Sequence, residues 1–456
     1  MQIKIGLSKV LMIFFGVIPL VSGAQDLDPR LQELIGKGLE KSHKINEKEF
    51  ESQQAVLDQK LAKSVFLPKI TVNGNFTRLN DDVSFDEDTQ QLLMGTQKLL
   101  VKEAAGIPFN SAFPEGLPIQ EIPPIQEKNI LKSSVDLDWV LFSGFKASNA
   151  LKASKHKEAS LNYATSALKD KIALKIIETY DKLGLVNASK QVLQTTDDYL
   201  KQQEFFVKKA IENGLATPIE RKKIELARQQ LIAKQLEFNH HKTMLIELLH
   251  QLTGESRESL SGLEPQLSPF AEENSAGVEK RDEIKALEEA EKASLYKAKM
   301  ERSSFIPKLA LKGHYELLKE DLSLLDPQWY VGVGVRWNVF DGNQSRLEGK
   351  KAEFEARKYR EQREEAEEMI ELGITQAEQT LESSRQNTKI VQKEIELAEE
   401  TYEMVDKQYK NDLASIKDVL DALKDLEKAG FKLQESNFQE RRAMIDLLHT
   451  RGQLNY

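Results

Sequence analysis

Four short runs along the chain alternate between apolar and polar or small positions. Ile70, Val72, Gly74 and Phe76 interleave with Thr71, Asn73, Asn75 and Thr77, and Val135, Leu137, Trp139 and Leu141 flank Asp136 and Asp138. Leu309, Leu311, Gly313 and Tyr315 alternate with Lys312, His314 and Glu316. Val331, Val333, Val335, Trp337 and Val339 alternate with Gly332, Gly334, Arg336 and Asn338. A period of two over this length predicts β-strands with one apolar and one polar face. Between the strand pairs the spacing turns helical. Segments 28–64 and 283–304 precede the strands, with no proline beyond Pro29, and Pro68 and Pro307 stand where each helix must give way to a strand. After each pair the pattern predicts a very long helix, 143–212 and 343–410, free of proline. At ~1.5 Å per residue such a helix reaches roughly 100 Å. A short turn follows each, then a return helix over 218–252 or 416–448, with Pro218 suited to a first helical turn.

The two halves of this list are one unit written twice. Phe66-Leu67-Pro68-Lys69-Ile70 answers to Phe305-Ile306-Pro307-Lys308-Leu309, and the Trp-x-x-Phe-x-Gly element at Trp139–Gly144 recurs at Trp337–Gly342, 198 residues on. Asn213-Gly214-Leu215-Ala216-Thr217 answers to Asn411-Asp412-Leu413-Ala414-Ser415 at the same offset of 198. The Phe-x-Pro elements lie 239 apart, so the first repeat carries 41 extra residues before its Trp element. That excess falls in 80–130, which holds five prolines and the patch DDVSFDED and predicts a long acidic loop closing the first hairpin. The expected organisation is a signal peptide at 1–24, a first repeat at 25–260, a linker at 261–280 and a second repeat at 281–456.

Composition narrows the class. Charged residues make up 30% of the 456, aromatic residues 7%, and there are 13 prolines, a profile of long helices rather than a broad core. A net charge of −9 with no basic stripe argues against a nucleic-acid partner. Cysteine is absent, which excludes disulfides, thiolate metal sites, Cys nucleophiles and lipidated Cys. The first residues point to export: Lys4 and Lys9 precede the apolar 10–21, and Ser22-Gly23-Ala24 offers small residues for cleavage. An uncleaved anchor is the plainer alternative, although the apolar stretch is short for a transmembrane helix. No other stretch approaches eighteen consecutive apolar residues, so entry into a membrane must proceed without helices.

The long helices lead away from the strands, which leaves nothing amphipathic to cover the apolar strand faces. An apolar face turned to lipid and a polar face turned to water is the pattern of a membrane β-barrel rather than a small soluble sheet. Four strands cannot close a barrel, and an open sheet in lipid leaves backbone groups unpaired at several kcal/mol each. Several chains must pool their strands: two, three and four copies all remain open from the strand count alone. Helices of this length must likewise set their apolar stripes against neighbouring helices.

The tandem repeat, the Phe-x-Pro strand entries at Phe66–Pro68 and Phe305–Pro307, the Phe-x-Gly exits at Phe142–Gly144 and Phe340–Gly342, and the two helical turns together resemble the TolC-like outer membrane factors, the exit ducts of efflux pumps and type I secretion systems. The resemblance spans essentially the whole mature chain. It implies a mixed α/β membrane fold in which three copies pool their strands into a twelve-stranded outer-membrane barrel, continued by a tunnel of long helices through the periplasm. It also implies a non-enzymatic duct without cofactors, driven through a periplasmic adaptor (membrane fusion) protein by an inner-membrane transporter of RND or ABC type.

The turns that resemble adaptor-docking tips are Asn213, Gly214, Leu215, Ala216 and Thr217 in the first repeat and Asn411, Asp412, Leu413, Ala414 and Ser415 in the second. Asp412 replaces the Gly common in the family, which puts adaptor contact there in doubt. Lys417-Asp418-Val419-Leu420-Asp421-Ala422 resembles the segment whose paired aspartates narrow the tunnel mouth. Asp418 and Asp421 are i and i+3 on one helix face. Repeated around an axis, they would form two acidic rings favouring cations and able to hold a divalent ion. The plainer reading is two solvated aspartates near a helix start, where the dipole favours them. The first repeat has Glu220 and Lys223 in these places and does not duplicate the ring.

Other candidates carry less. Adjacent His240 and His241 point about 100° apart on a helix and find only Met244 or Leu245 at i+4, so they read as a solvated pair. The Glu/Lys run at 361–368 reads as a solvated face, and Trp139 and Trp337 as an interfacial aromatic belt. There is no G-x-S-x-G element, phosphate loop or His-x-x-x-His pair, and no enzyme is expected. A non-transport periplasmic coiled coil or adaptor hairpin explains the helices but not the duplicated strand pairs.

Overall fold

The computed structural model describes residues 27–267, 280–318 and 327–456. The expected signal peptide at 1–24 and most of the expected linker lie outside these residues. Two compact units contain the described chain, Met1–Phe50 with Leu161–Leu287 and Gln362–Tyr456, and Glu51–Ser160 with Glu288–Glu361.

The second of these units holds a four-stranded antiparallel sheet in the order β1 (Lys69–Arg78), β2 (Asn129–Phe142), β3 (Lys308–Glu316), β4 (Trp329–Arg336). Its register runs Ile70 opposite Leu137, Leu137 opposite Gly313, and Gly313 opposite Val331, so one face collects the apolar positions of all four strands. That face is uncovered: Val331, Val333 and Val335 are 65, 62 and 69% exposed. On the other face Asp136 accepts hydrogen bonds from Asn73 Nδ2 (2.5 Å) and Ser134 Oγ (3.1 Å) and meets His314 Nδ1 at 2.7 Å, while Tyr330 stacks on the His314 ring. A polar network therefore ties together β1, β2 and β3. The expected β4 runs to Val339, but the strand ends at Arg336. Its partner there is Lys308, the first residue of β3, and Pro307 before it has no N–H to continue the ladder.

The strand ends explain the repeated six-residue elements. Trp139 Nε1 donates to the Phe66 carbonyl at 2.9 Å, and Trp337 Nε1 donates to the Phe305 carbonyl at 3.0 Å. Each indole pins the exit of one strand to the chain entering its neighbour, a role that an aromatic-belt reading does not foresee. Beyond each strand two consecutive residues are left-handed, Gly144 (φ 66°) with Phe145 (65°) and Gly342 (68°) with Asn343 (66°). A Cβ on Gly144 would stand 2.9 Å from the Ile306 carbonyl oxygen, so this corner requires glycine. The next helices, α4 (Lys146–Glu212) and α8 (Gln344–Lys410), start under side-chain caps: Ser143 Oγ accepts from the Ala147 amide (3.2 Å) and Asp341 Oδ2 from the Ser345 amide (3.0 Å).

Two expectations are corrected. Segment 80–130 is not wholly loop: Glu87–Ala104 forms a helix, α3, because Asp86 caps it through the Thr89 amide at 2.7 Å and no proline interrupts that stretch. The expected helix over 28–64 is two helices, α1 (Pro29–Lys41) and α2 (His43–Ser64), separated at Ser42, whose backbone is extended (ψ 110°).

In the other unit, α5 (Pro218–Thr253), the short α6 (Arg257–Ser261) and α9 (Ile416–Thr450) pack with α1 and α4, and α7 (Asp282–Arg302) begins here. Leu31, Leu34 and Ile35 recur at helical spacing on α1 and bury against Ile176, Ile177 and Leu183 of α4, Leu249, Leu260 and Ile445. An ion-pair cluster fastens the same corner. Lys37 and Arg30 converge on Glu255, and the hydrogen bond from Lys37, then that involving Ser259, draws the Glu255 carboxyl down to about 2. A depressed carboxylate stabilises the fold above its ordinary range near 4.5, and this contribution is lost as pH falls from there through about 2. Thermal melts should therefore lose stability between pH 5 and pH 3, and Glu255→Gln should flatten that dependence; an unchanged slope counts against the cluster's role.

Candidate functional site

The two turns that end α4 and α8 are built alike. Asn213 Nδ2 donates to the Lys209 carbonyl (2.9 Å), the Gly214 amide to Ile211 (3.0 Å) and the Leu215 amide to Ala210 (2.8 Å). In the second turn Asn411 Nδ2 donates to Lys407 (2.8 Å), the Asp412 amide to Tyr409 (3.1 Å) and the Leu413 amide to Gln408 (2.9 Å). Both are Schellman caps, which require a left-handed residue just past the helix end. Gly214 has φ 71° and Asp412 has φ 58°. Aspartate is among the few side chains that visit this region readily, so the replacement at 412 keeps the turn and adds a negative charge to it. Leu215 and Leu413 project into solvent.

The return helices restart on capping boxes. The Thr217 amide donates to Glu220 Oε1 at 3.4 Å. In the second turn the Ser415 amide and Oγ both donate to Asp418 Oδ2 (2.8 and 2.7 Å), and the Asp418 amide returns a bond to Ser415 Oγ (3.3 Å). The hydrogen bonds from Ser415 hold the Asp418 carboxyl below its ordinary range, with smaller help from Lys417 and Lys223. Asp418 and Asp421 are both exposed, but their circumstances differ. One oxygen of Asp418 is committed to the cap, whereas Asp421 lines a groove of about 360 Å³ between α5 and α9, among Lys223, Lys417 and Lys424.

Beneath the turns lies a core in seven-residue steps: Leu193, Leu200 and Val207 of α4, Ile224 and Leu231 of α5, Tyr402 and Tyr409 of α8, and Ile416 and Leu423 of α9, with Val419 between the last two. Three side-chain hydrogen bonds of this region have no local signature in the sequence. Tyr409 Oη donates to Glu220 Oε2 at 2.5 Å, linking the end of one repeat's long helix to the start of the other's return helix, and burial followed by that carboxylate pushes the phenol well above its ordinary range. Gln203 Nε2 donates to Asp406 Oδ1 (2.7 Å) and Tyr402 Oη (3.3 Å), and burial pushes the Tyr402 phenol up to about 12. The heptad step from Tyr402 to Tyr409 was the available signal, but it does not say which partner stands opposite. Glu220 thus serves a cap and a cross-repeat bond, a role that its counterpart Asp418 does not share. His240 and His241 stand exposed on α5. No described helix is long and apolar enough to cross a membrane.

A sequence model described as outer membrane efflux protein matches residues 277–448. No curated protein matches the sequence. Solved structures match over most of the length. The outer membrane protein VceC from Vibrio cholerae aligns with a TM-score of 0.71 at 15% identity, covering 93% of this chain and 96% of that one. The CmeC outer membrane channel of Campylobacter jejuni gives 0.70 at 14% identity, with 93 and 86% covered. The open state of the Neisseria gonorrhoeae MtrE outer membrane channel gives 0.67 at 15%, with 93 and 89% covered. At these identities the likeness establishes the fold, that of TolC-like outer membrane channels.

Proposed function

We propose that the protein is the passive outer-membrane exit duct of a tripartite efflux pump, extending into the periplasm, a reading supported by the match of residues 277–448 to the outer membrane efflux protein model. The carrying observation is the sheet: among the described residues it has an uncovered apolar face and two unpaired edges, β1 and β4, and β2 and β4 lead into 67-residue helices. Unpaired edges in lipid are not tolerated, so copies of the chain must close the sheet. Three copies, giving twelve strands, is the number the family supports. Seven-spaced Ile390, Leu397 and Met404 on α8 are more than half exposed in a single chain, which fits seams awaiting neighbouring helices in a homotrimer.

In this reading the segment 1–24 directs export, repeats 25–260 and 281–456 supply equivalent parts of the duct, and outer membrane lipid covers the apolar strand faces. The turns at 213–217 and 411–415 receive a periplasmic adaptor, which connects the duct to an inner-membrane transporter of RND or ABC type. Asp418 and Asp421 form the acidic narrowing at the mouth. No cofactor, catalytic step or nucleic acid enters the scheme.

The outer-membrane assignment is tested by fractionation; recovery in the soluble periplasmic fraction sinks it. The mouth is tested by single-channel conductance in planar bilayers. Asp421→Ala should raise conductance without disturbing the cap that occupies Asp418, and Asp418→Ala/Asp421→Ala should raise it further. Equal conductance in all three proteins removes the gate and leaves the duct.

A further inference from the structure

The polar face of the sheet is electrically lopsided. At the ends of the strands nearest the helices, one cross-strand row reads Lys69, Asp138, Lys312, Gly332, and nearer the helices Lys308 stands directly opposite Arg336. Along β3 the two rows lie about 13 Å apart. Lys312 Nζ approaches Asp138 Oδ1 at 3.9 Å, while Lys69, Lys308 and Arg336 form no ion pair with any described residue. Four cations therefore face one carboxylate, an excess of three positive charges per chain. Farther out the balance reverses, with Asp136 and Glu316 against Lys132.

Like charges directly opposite on neighbouring strands are destabilising, and nothing in the sheet relieves the Lys308–Arg336 pair. A Cβ at Gly332 or Gly334, on the same face, would meet nothing within 4 Å, so the space over the cations is open. Resting on the duct reading above, in which this face lines the water-filled bore, we propose that these residues form a basic collar where the helical tunnel enters the barrel, and that it draws in and passes small anionic solutes bearing carboxylate, phosphate or sulfonate groups. Repeated in three copies, the collar carries an excess of nine positive charges. A ring of one sign in a narrow bore raises the local concentration of the opposite ion and sets selectivity. The collar opposes the acidic mouth in sign, so the two would select at separate points along the path.

The experiment is a reversal-potential measurement in planar bilayers under a KCl gradient, on the full-length protein in the Asp418→Ala/Asp421→Ala background so that the mouth does not mask the bore. Lys308→Gln/Arg336→Gln should lower the chloride-to-potassium permeability ratio several-fold, and Lys308→Glu/Arg336→Glu should lower it further. The graded response separates charge from misfolding, and trimer content by size-exclusion chromatography is read alongside. A ratio unchanged across the three proteins overturns the collar while leaving the duct intact. Absence of any channel from the background protein overturns the duct, and the collar with it.

Discussion

Placing arginine at Val333 should abolish stable insertion of the protein, while serine at Gly332, the next residue along, should be tolerated. Val333 lies on the apolar face of β4, is 62% exposed in the single chain, and pairs with Leu311. If that face meets lipid, a buried guanidinium there costs about 2–4 kcal/mol per chain near the midplane, and an assembly of several copies incurs the cost several times over. Gly332 points to the polar face, where a Cβ meets nothing within 4 Å. The measurement is the amount of each variant retained in urea-washed outer membranes. Val333→Arg retained as well as the unsubstituted protein would show that lipid does not cover this face, and the barrel reading would fall with it.

The other large effect lies in the helical unit. Arg441 of α9 donates from Nε to Asp181 Oδ2 of α4 at 2.9 Å, with side chains 8 and 2% exposed. Burial pushes the Asp181 carboxyl up from its ordinary range against the pull of Arg441 and Arg442, and its Oδ1 has no hydrogen-bond partner among the described residues. Removing one member leaves the other charged and buried, so Arg441→Met should cost about 3–5 kcal/mol at neutral pH. Replacing both, Asp181→Leu with Arg441→Met, should recover most of that loss, because well-packed apolar side chains avoid the desolvation altogether. In the single variant Asp181 is raised further. A raised carboxyl favours the folded state when protonated, so the deficit should be small below the ordinary carboxylate range and grow as pH rises. Urea unfolding followed by far-ultraviolet circular dichroism at several pH values checks both points. A double variant no better than Arg441→Met would mean that packing, not charge, governs this contact.

Both results bear on how function is divided along the chain. The sheet depends on a burial that one copy cannot supply, and the helical unit depends on a polar contact that one copy already completes. The turns stand between these conditions. Their caps are closed within the chain, whereas Leu215, Leu413 and Asp421 are left facing outward, available to a partner without any rearrangement of the backbone.

The order of the strand pairs, long helices and return helices was legible in the sequence, because period-two alternation, proline placement and a repeat offset of 198 are local facts. The sequence also determined the turns: Asn-Gly-Leu and Asn-Asp-Leu at one offset encode the same Schellman cap, and the helix-start residues two positions beyond encode the same kind of box. The apolar strand face was legible too, since its side chains need no neighbour to declare their sign. Which residue each long-range polar side chain touches emerged only in the folded chain. The helix α3 was hidden by prolines clustered in the same loop but C-terminal to it, and the break at Ser42 by apolar spacing that continues past it. The Trp139–Phe66 and Trp337–Phe305 bonds, the Tyr409–Glu220 link and the unrelieved Lys308–Arg336 pair join residues from different elements. Their geometry depends on strand register and helix packing, which follow from the energy of the whole assembly rather than from any run of neighbouring residues. Asp418 and Asp421 part for a local and a tertiary reason: Ser415 three residues back binds the first into the helix cap, whereas the packing of α5 on α9 sets the second beside a groove.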